Sequence, residues 1–222
     1  MATLMVLLIF NLKGAGYAII LPRIVDTILG CLIAWFAVSF IWPDWNFRNI
    51  SSTIKKSNQA TLEYFDAVVK QYQFGKNNSL DYRQARRTAH NAQIELSSMI
   101  SSLSTEPNPN QALIHAAFRY LVYSHSQLSY VSALGSHREQ VQDVQVLDLM
   151  LWCKDTLFAV LLQQQALDMD KIQHKLQDIQ HMSTQENLSE NLLLALKQIS
   201  LLLETLPEFI DLHSQLLKQE IK

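Results

Sequence analysis

DYRQARRTAHNAQIELSSMISSL, residues 81–103, sets Tyr82, Ala85, Ala89, Ala92, Leu96, Met99 and Leu103 at alternating spacings of three and four. That is the period of a helix with one buried stripe, because 3.6 residues complete a turn. Outward from this stretch, Leu188, Leu192, Ala195, Ile199, Leu202, Leu206 and Phe209 repeat the pattern, and Ile50, Ile54, Ser57, Thr61, Tyr64 and Val68 repeat it more weakly. Strand-type alternation is absent from the sequence. Five Gly and five Pro among 222 residues are too few for the tight turns of a β-rich or α/β fold. The fold class read from these patterns is all-α. Helices are expected over residues 48–74, 79–104, 110–134, 137–167, 170–182 and 186–220, with Pro207 kinking the last or starting a new one. Gly75-Lys76-Asn77-Asn78 and Glu106-Pro107-Asn108-Pro109-Asn110 read as turns, and Gly135-Ser136 as a third. Apolar rows of this kind must bury against one another. Short turns favour an antiparallel helical bundle within one chain over a long dimeric coiled coil.

The charges divide the chain differently. Of 18 basic and 20 acidic residues, only Lys13, Arg23 and Asp26 fall within residues 1–42. From Ile24 to Trp42 the run IVDTILGCLIAWFAVSFIW would span about 28 Å as a helix, close to the hydrocarbon thickness of a bilayer. A transmembrane helix is expected over residues 23–42, begun at Pro22 and Arg23, stopped by Pro43, and flanked by Trp42 and Trp45 at the interface. Leu4 to Phe10 is apolar but too short to span, and no basic n-region marks a signal peptide. Residues 1–22 therefore read as the remnant of a preceding transmembrane helix and its loop. The expectation is a C-terminal piece of a longer protein, or a reading frame that starts late. Residues 43–47 read as an interfacial linker and residues 48–222 as a helical domain. Arg48, Lys55 and Lys56 against Lys13 and Arg23 give a basic excess of one, which puts that domain in the cytoplasm.

Net charge is −2, which argues against nucleic acid as a partner. Basic residues prevail before residue 140 and acidic ones after it, a polarity that suits attraction to an anionic leaflet or packing of the two halves together. Cys31 and Cys153 are far apart and form neither a disulfide framework nor a metal knuckle. His174 and His181 are seven apart but have no third ligand at a convincing spacing, so no metal is expected. Asp168 with Asp170 and Glu186 with Glu190 read as helix-start acids. No phosphate loop, nucleophile elbow or HExxH motif is present, so neither a catalytic residue nor a cofactor is expected.

Two constellations remain. Arg23 and Asp26 share a face at the expected start of the membrane helix. They suit substrate or anion contact or a proton relay, or else a helix-start acid paired with its neighbouring base. Arg83, Arg86, Arg87 and His90 flank the alanine seam. They suit an anionic headgroup, an acidic partner helix or a carboxylate, or else a solvated face paired with Asp81 and Glu95.

LPRIVDTILGCLIAW (21–35), IWPDWNFR (41–48), DYRQARRTAHNAQIEL (81–96) and YVSALGSHREQ (130–140) together resemble the YccS-type branch of the fusaric-acid-resistance-like (FUSC) family of bacterial inner-membrane proteins. The most specific parts are Arg23, Asp26, Thr27 and Gly30, and the run from Tyr82 to Asn91. The resemblance implies a role in export of small aromatic organic anions, with further membrane helices in a full-length member. It also implies an inner-membrane location, and contacts with the bilayer, with the rest of the membrane domain or with other protomers in a homo-oligomer. The helical domain would support or regulate transport without enzymatic activity. The competing expectation is a membrane-tethered interaction or oligomerisation module that transports nothing.

Overall fold

The computed structural model describes residues 16–37, 50–104, 110–136, 140–141, 143–163, 165–184 and 188–219, with side chains described from Pro22 to Leu217 within these ranges. All regular structure among them is helical. The chain divides into two compact units, Met1–Trp45 and Asn46–Lys222.

The first unit contributes α1, Gly16–Phe36. Its start corrects the expected one: Pro22 lies inside the helix rather than at its entrance, so Arg23 and Asp26 sit in its middle. Proline removes one backbone donor, the one that would reach the carbonyl four residues earlier, and the helix continues through it without that bond. From Pro22 to Phe36 every side chain is exposed, including Ile24, Ile28, Leu32, Ile33, Trp35 and Phe36. Among the described residues no helix is long and apolar enough to cross a membrane. Residues 1–15, Trp42, and the expected linker at 43–47 lie outside the described residues.

The second unit holds α2 (Ile50–Phe74), α3 (Leu80–Leu103), α4 (Gln111–Ser136), α5 (Val144–Leu161), α6 (Met169–Ser183) and α7 (Glu190–Gln219). Pairings read off individual contacts fix the directions. Lys56 meets Glu95, Ser57 meets Gln93 and Tyr64 meets Tyr82, so α2 and α3 are antiparallel. Arg119 meets Glu208 and Gln127 meets Thr205, so α4 and α7 are too. Asn58 with Tyr120 and Tyr72 with Leu134 run α2 parallel to α4. Helix α5 packs on α2 and α7, while α6 buries Ile172 and Ile179 and lies against α7.

The three sequence rows form the core. Tyr82, Ala89, Ala92, Leu96 and Leu103 of α3, Ile50, Ile54, Tyr64 and Val68 of α2, and Ala195, Ile199, Leu202, Leu206 and Phe209 of α7 are all buried. The caps explain most boundaries. Ser79 Oγ accepts from Tyr82 N at 3.3 Å, Asn110 Oδ1 from Ala112 N at 3.1 Å, and Asp168 Oδ1 from Lys171 N at 3.2 Å. Gly75 has φ +90°, a conformation that favours glycine in the turn after α2.

Three expected boundaries are corrected. The helix expected over 137–167 is α5 alone, begun by Asp143, whose carboxylate accepts from Gln145 N at 2.9 Å and Val146 N at 3.4 Å. Gly135 and Ser136 belong to α4 rather than to a turn. Pro207 lies within a continuous α7, so it does not start a new helix. Of the helix-start acids, Asp168 caps α6 and Glu190 opens α7, while Glu186 lies outside the described residues.

A polar layer crosses this apolar core. Gln93 Oε1 accepts from Ser57 Oγ at 3.2 Å and Ser124 Oγ at 2.9 Å, and Tyr120 donates to Asn58 Oδ1 at 2.8 Å. His213, 4% exposed, stacks on the Tyr120 ring, and its Nε2 has no partner. Burial, assisted by Lys55, holds the His213 imidazole below its usual pKa. A group depressed in this way stabilises the fold above its unfolded pKa of about 6.5, and that contribution disappears as pH falls through the lower folded value. Between about pH 7 and pH 5 the melting temperature of the chain is therefore expected to fall more steeply than that of His213→Phe. Parallel slopes would remove His213 from that role.

Candidate basic pocket

Helix α3 presents two faces. Its alanine seam lets α3 approach its neighbours closely, and the residues one and two positions along that seam point outward. Arg83, Arg86 and Arg87 are exposed by this geometry, and His90 is half-buried at the margin. Together with Asn78 and Tyr82 they line a surface pocket of about 480 Å³. The four residues singled out from sequence are thus brought together. Asn78 and Tyr82 are additions, with only their position one turn before the arginines and beside Arg83 to signal them.

The back of the pocket is polar but uncharged. The Tyr82 hydroxyl donates to the Gly135 carbonyl at 3.4 Å and lies 3.4 Å from the Tyr64 hydroxyl. His90 Nε2 lies 3.5 Å from Ser132 Oγ, and its ring is 6.4 Å from that of Tyr64. Burial, then Arg86 and His125, lowers the His90 pKa, which favours neutral imidazole at neutral pH. Burial is also the first cause that raises the Tyr64 phenol, so that hydroxyl stays protonated.

The expected carboxylate partners are not there. Glu95 is 2.7 Å from Lys56 on α2, and among the described residues no carboxylate pairs with Arg83, Arg86 or Arg87. Asp81 stands in the first turn of α3, also outside any of these ion pairs.

Arg23 and Asp26 lie one turn apart on α1, both exposed, and no ion pair joins them. The Thr27 hydroxyl donates to the Arg23 carbonyl at 2.8 Å. With helix on either side, Asp26 is not a helix-start acid, which corrects that expectation. His174 and His181 are exposed on α6, and no three His, Cys, Asp or Glu side chains converge among the described residues. Burial pushes the Cys153 thiol up to about 12, which leaves it inert as a nucleophile.

A larger groove of about 770 Å³ lies between α2 and α5, which the sequence did not signal. Its charges largely neutralise one another: Asp66 is 2.7 Å from Lys70 and 3.2 Å from Lys154. Burial alone would raise the Asp66 carboxyl, but the two lysines outweigh it and lower the pKa.

No family model and no solved structure matches the chain. Inner membrane protein YccS of Escherichia coli is 41% identical over 96% of this chain and 30% of its own length. An uncharacterised protein of Haemophilus influenzae is 39% identical over 64% of the chain and 20% of its own length. Another, of Neisseria gonorrhoeae, is 32% identical over 60% of the chain and 32% of its own length. The chain therefore spans about a third or less of the curated relatives it matches. With 41% identity held over nearly all of its residues, the chain is a YccS-type sequence, related to an inner-membrane protein.

Proposed function

We propose that the chain works in an inner-membrane protein that exports small organic anions, aromatic carboxylates among them. In this reading α1 lies in the bilayer and the helical body, on the cytoplasmic side, supports or regulates transport. The observation that carries it is α1 itself, an apolar helix whose described side chains are exposed on every face, in a chain related to an inner-membrane protein. Water is a poor surrounding for such a helix and lipid a good one. The sequence stays apolar to Trp42, which supplies the length a crossing needs. Arg23 and Asp26, in the middle of α1, are then costly unless they work: Arg23 suits contact with an anion and Asp26 a coupled proton or cation. The body adds the α3 pocket as a second anion-binding place. It performs no covalent chemistry in this proposal.

Efflux of labelled benzoate from cells producing the whole YccS-type protein tests the proposal. Arg23→Gln and Asp26→Asn are each expected to slow efflux on the order of tenfold or more, with unchanged membrane levels. Deletion of residues 46–222 is expected to impair its control. Efflux indifferent to all three changes would leave the chain as a tethered interaction module.

A further inference from the structure

Arg83, Arg86 and Arg87 stand at i, i+3 and i+4 on one helical face, where like charges repel. Elsewhere in the body Lys56, Lys70, Arg119, Lys154, Lys171 and Lys175 each have a carboxylate partner, and the described cations without one, Lys55, Lys76 and Lys197, are scattered over three separate segments rather than clustered. The three arginines have none among the described residues, and they share one concavity with the neutral groups Asn78, Tyr82 and His90. The pocket thus has a front of three positive charges and a back of hydrogen-bonding groups.

Those features select among anions. A carboxylate is planar, offers two oxygens and one negative charge, and satisfies a single guanidinium fork. Two of the three cations would remain unmatched by a monocarboxylate, and a tricarboxylate would have to set three separate carboxylate planes on forks that stand within about one helical turn. A phosphate monoester is tetrahedral, presents three terminal oxygens and carries nearly two charges at neutral pH, so it can bridge several forks at once. We propose that the α3 pocket binds a phosphate group, carried either by an anionic lipid headgroup or by a small phosphorylated solute. This rests on the reading that the pocket takes an anion, and it narrows the chemistry of that anion.

The test is calorimetric titration of the full chain in phosphatidylcholine nanodiscs, with inorganic pyrophosphate and with citrate as a carboxylate of comparable charge. Pyrophosphate is expected to bind at least about tenfold more tightly than citrate. Replacing Arg83, Arg86 and Arg87 together by Gln is expected to abolish that heat. Replacing all three by Lys, which keeps the charge and removes the forks, is expected to weaken it by about tenfold. Because the three side chains are exposed, unchanged circular dichroism of both variants identifies the loss as one of binding. Discs containing phosphatidate separate the sources: pyrophosphate heat lost there assigns the pocket to lipid phosphate, and heat retained assigns it to a soluble ligand. Equal affinity for citrate and pyrophosphate, or full binding by the lysine variant, would overturn the phosphate assignment while leaving anion binding intact. No heat from either anion, in either disc, would overturn both.

Discussion

Replacing Phe209 with Ala is expected to lower the stability of the helical body by about 3–5 kcal/mol, the largest loss expected from any single substitution considered for this fold. Phe209 is 2% exposed on α7 and stacks on the Tyr120 ring of α4, with ring centroids 5.0 Å apart. Three costs combine. The ring's apolar surface loses its burial, the aromatic pair is broken, and a cavity opens beside one that Phe209 already lines with Asn58, Ser124 and Gln127. That enlarged space would border a polar group whose bonds are only partly made, since Asn58 Nδ2 has no partner. Collapse around such a layer is harder than collapse of a purely apolar core. Chemical denaturation of the chain in mild detergent reads the effect as a lowered midpoint. Val122→Ala, at an exposed position of the same α4, serves as the control and is expected to change stability by less than about 0.5 kcal/mol. A loss below about 1 kcal/mol for Phe209→Ala would mean that the α4–α7 contact is not part of the core.

Phe209 was legible in the sequence as a member of a helical row, and so were most of the buried residues of α2, α3 and α7. Period alone identifies which residues share a face, because the helix imposes it locally. The polar layer was not legible. Asn58, Gln93, Ser124 and Gln127 acquire their meaning from partners at least 31 residues away, and a glutamine in a row of polar residues looks like surface. Boundaries failed where the local chemistry is quiet. Helix α5 is followed by Gln163, Gln165, Ala166 and Leu167, with no Gly or Pro to mark its end. In α1 the reverse occurred: Pro22 looked like a beginning and is an interior residue.

The basic pocket was half legible for the same reason. Its three arginines lie within five consecutive residues of one helix, so their common face follows from spacing. Their want of carboxylate partners does not. Glu95 stands on the same helix but is taken by Lys56 of α2, a partner 39 residues earlier. The α2–α5 groove depends wholly on such distant pairing, as between Asp66 and Lys154, which are 88 residues apart.

Gly135 joins the core to the pocket, and its replacement by Ala is expected to destabilise the body by about 1–3 kcal/mol. A Cβ there would lie 2.8 Å from both the Tyr64 and Tyr82 hydroxyl oxygens and 3.3 Å from Val68 Cγ2. The two oxygens end rigid, buried rings that have little room to withdraw. The Tyr82 hydroxyl is itself useful to α4, whose last carbonyls have no helical donor: it donates to Gly135 O at 3.4 Å, as the neighbouring Tyr72 hydroxyl does to Leu134 O at 2.9 Å. Gly135 is the second-to-last residue of α4, where alanine is favoured over glycine by less than the roughly 1 kcal/mol of a helix interior, so any net loss measures the clash against that smaller gain. Removing both hydroxyls separates the terms. In a background of Tyr64→Phe and Tyr82→Phe, Gly135→Ala is expected to become neutral or stabilising, a coupling that double-mutant analysis of denaturation midpoints would detect. Equal costs in the two backgrounds would place the strain elsewhere. Because Tyr82 also lines the arginine pocket, its displacement by the alanine is expected to weaken pyrophosphate binding by about tenfold while the arginines stay in place. Removing the Tyr64 hydroxyl alone is expected to restore neither stability nor anion affinity fully, since the alanine Cβ would still lie 2.8 Å from the Tyr82 hydroxyl oxygen.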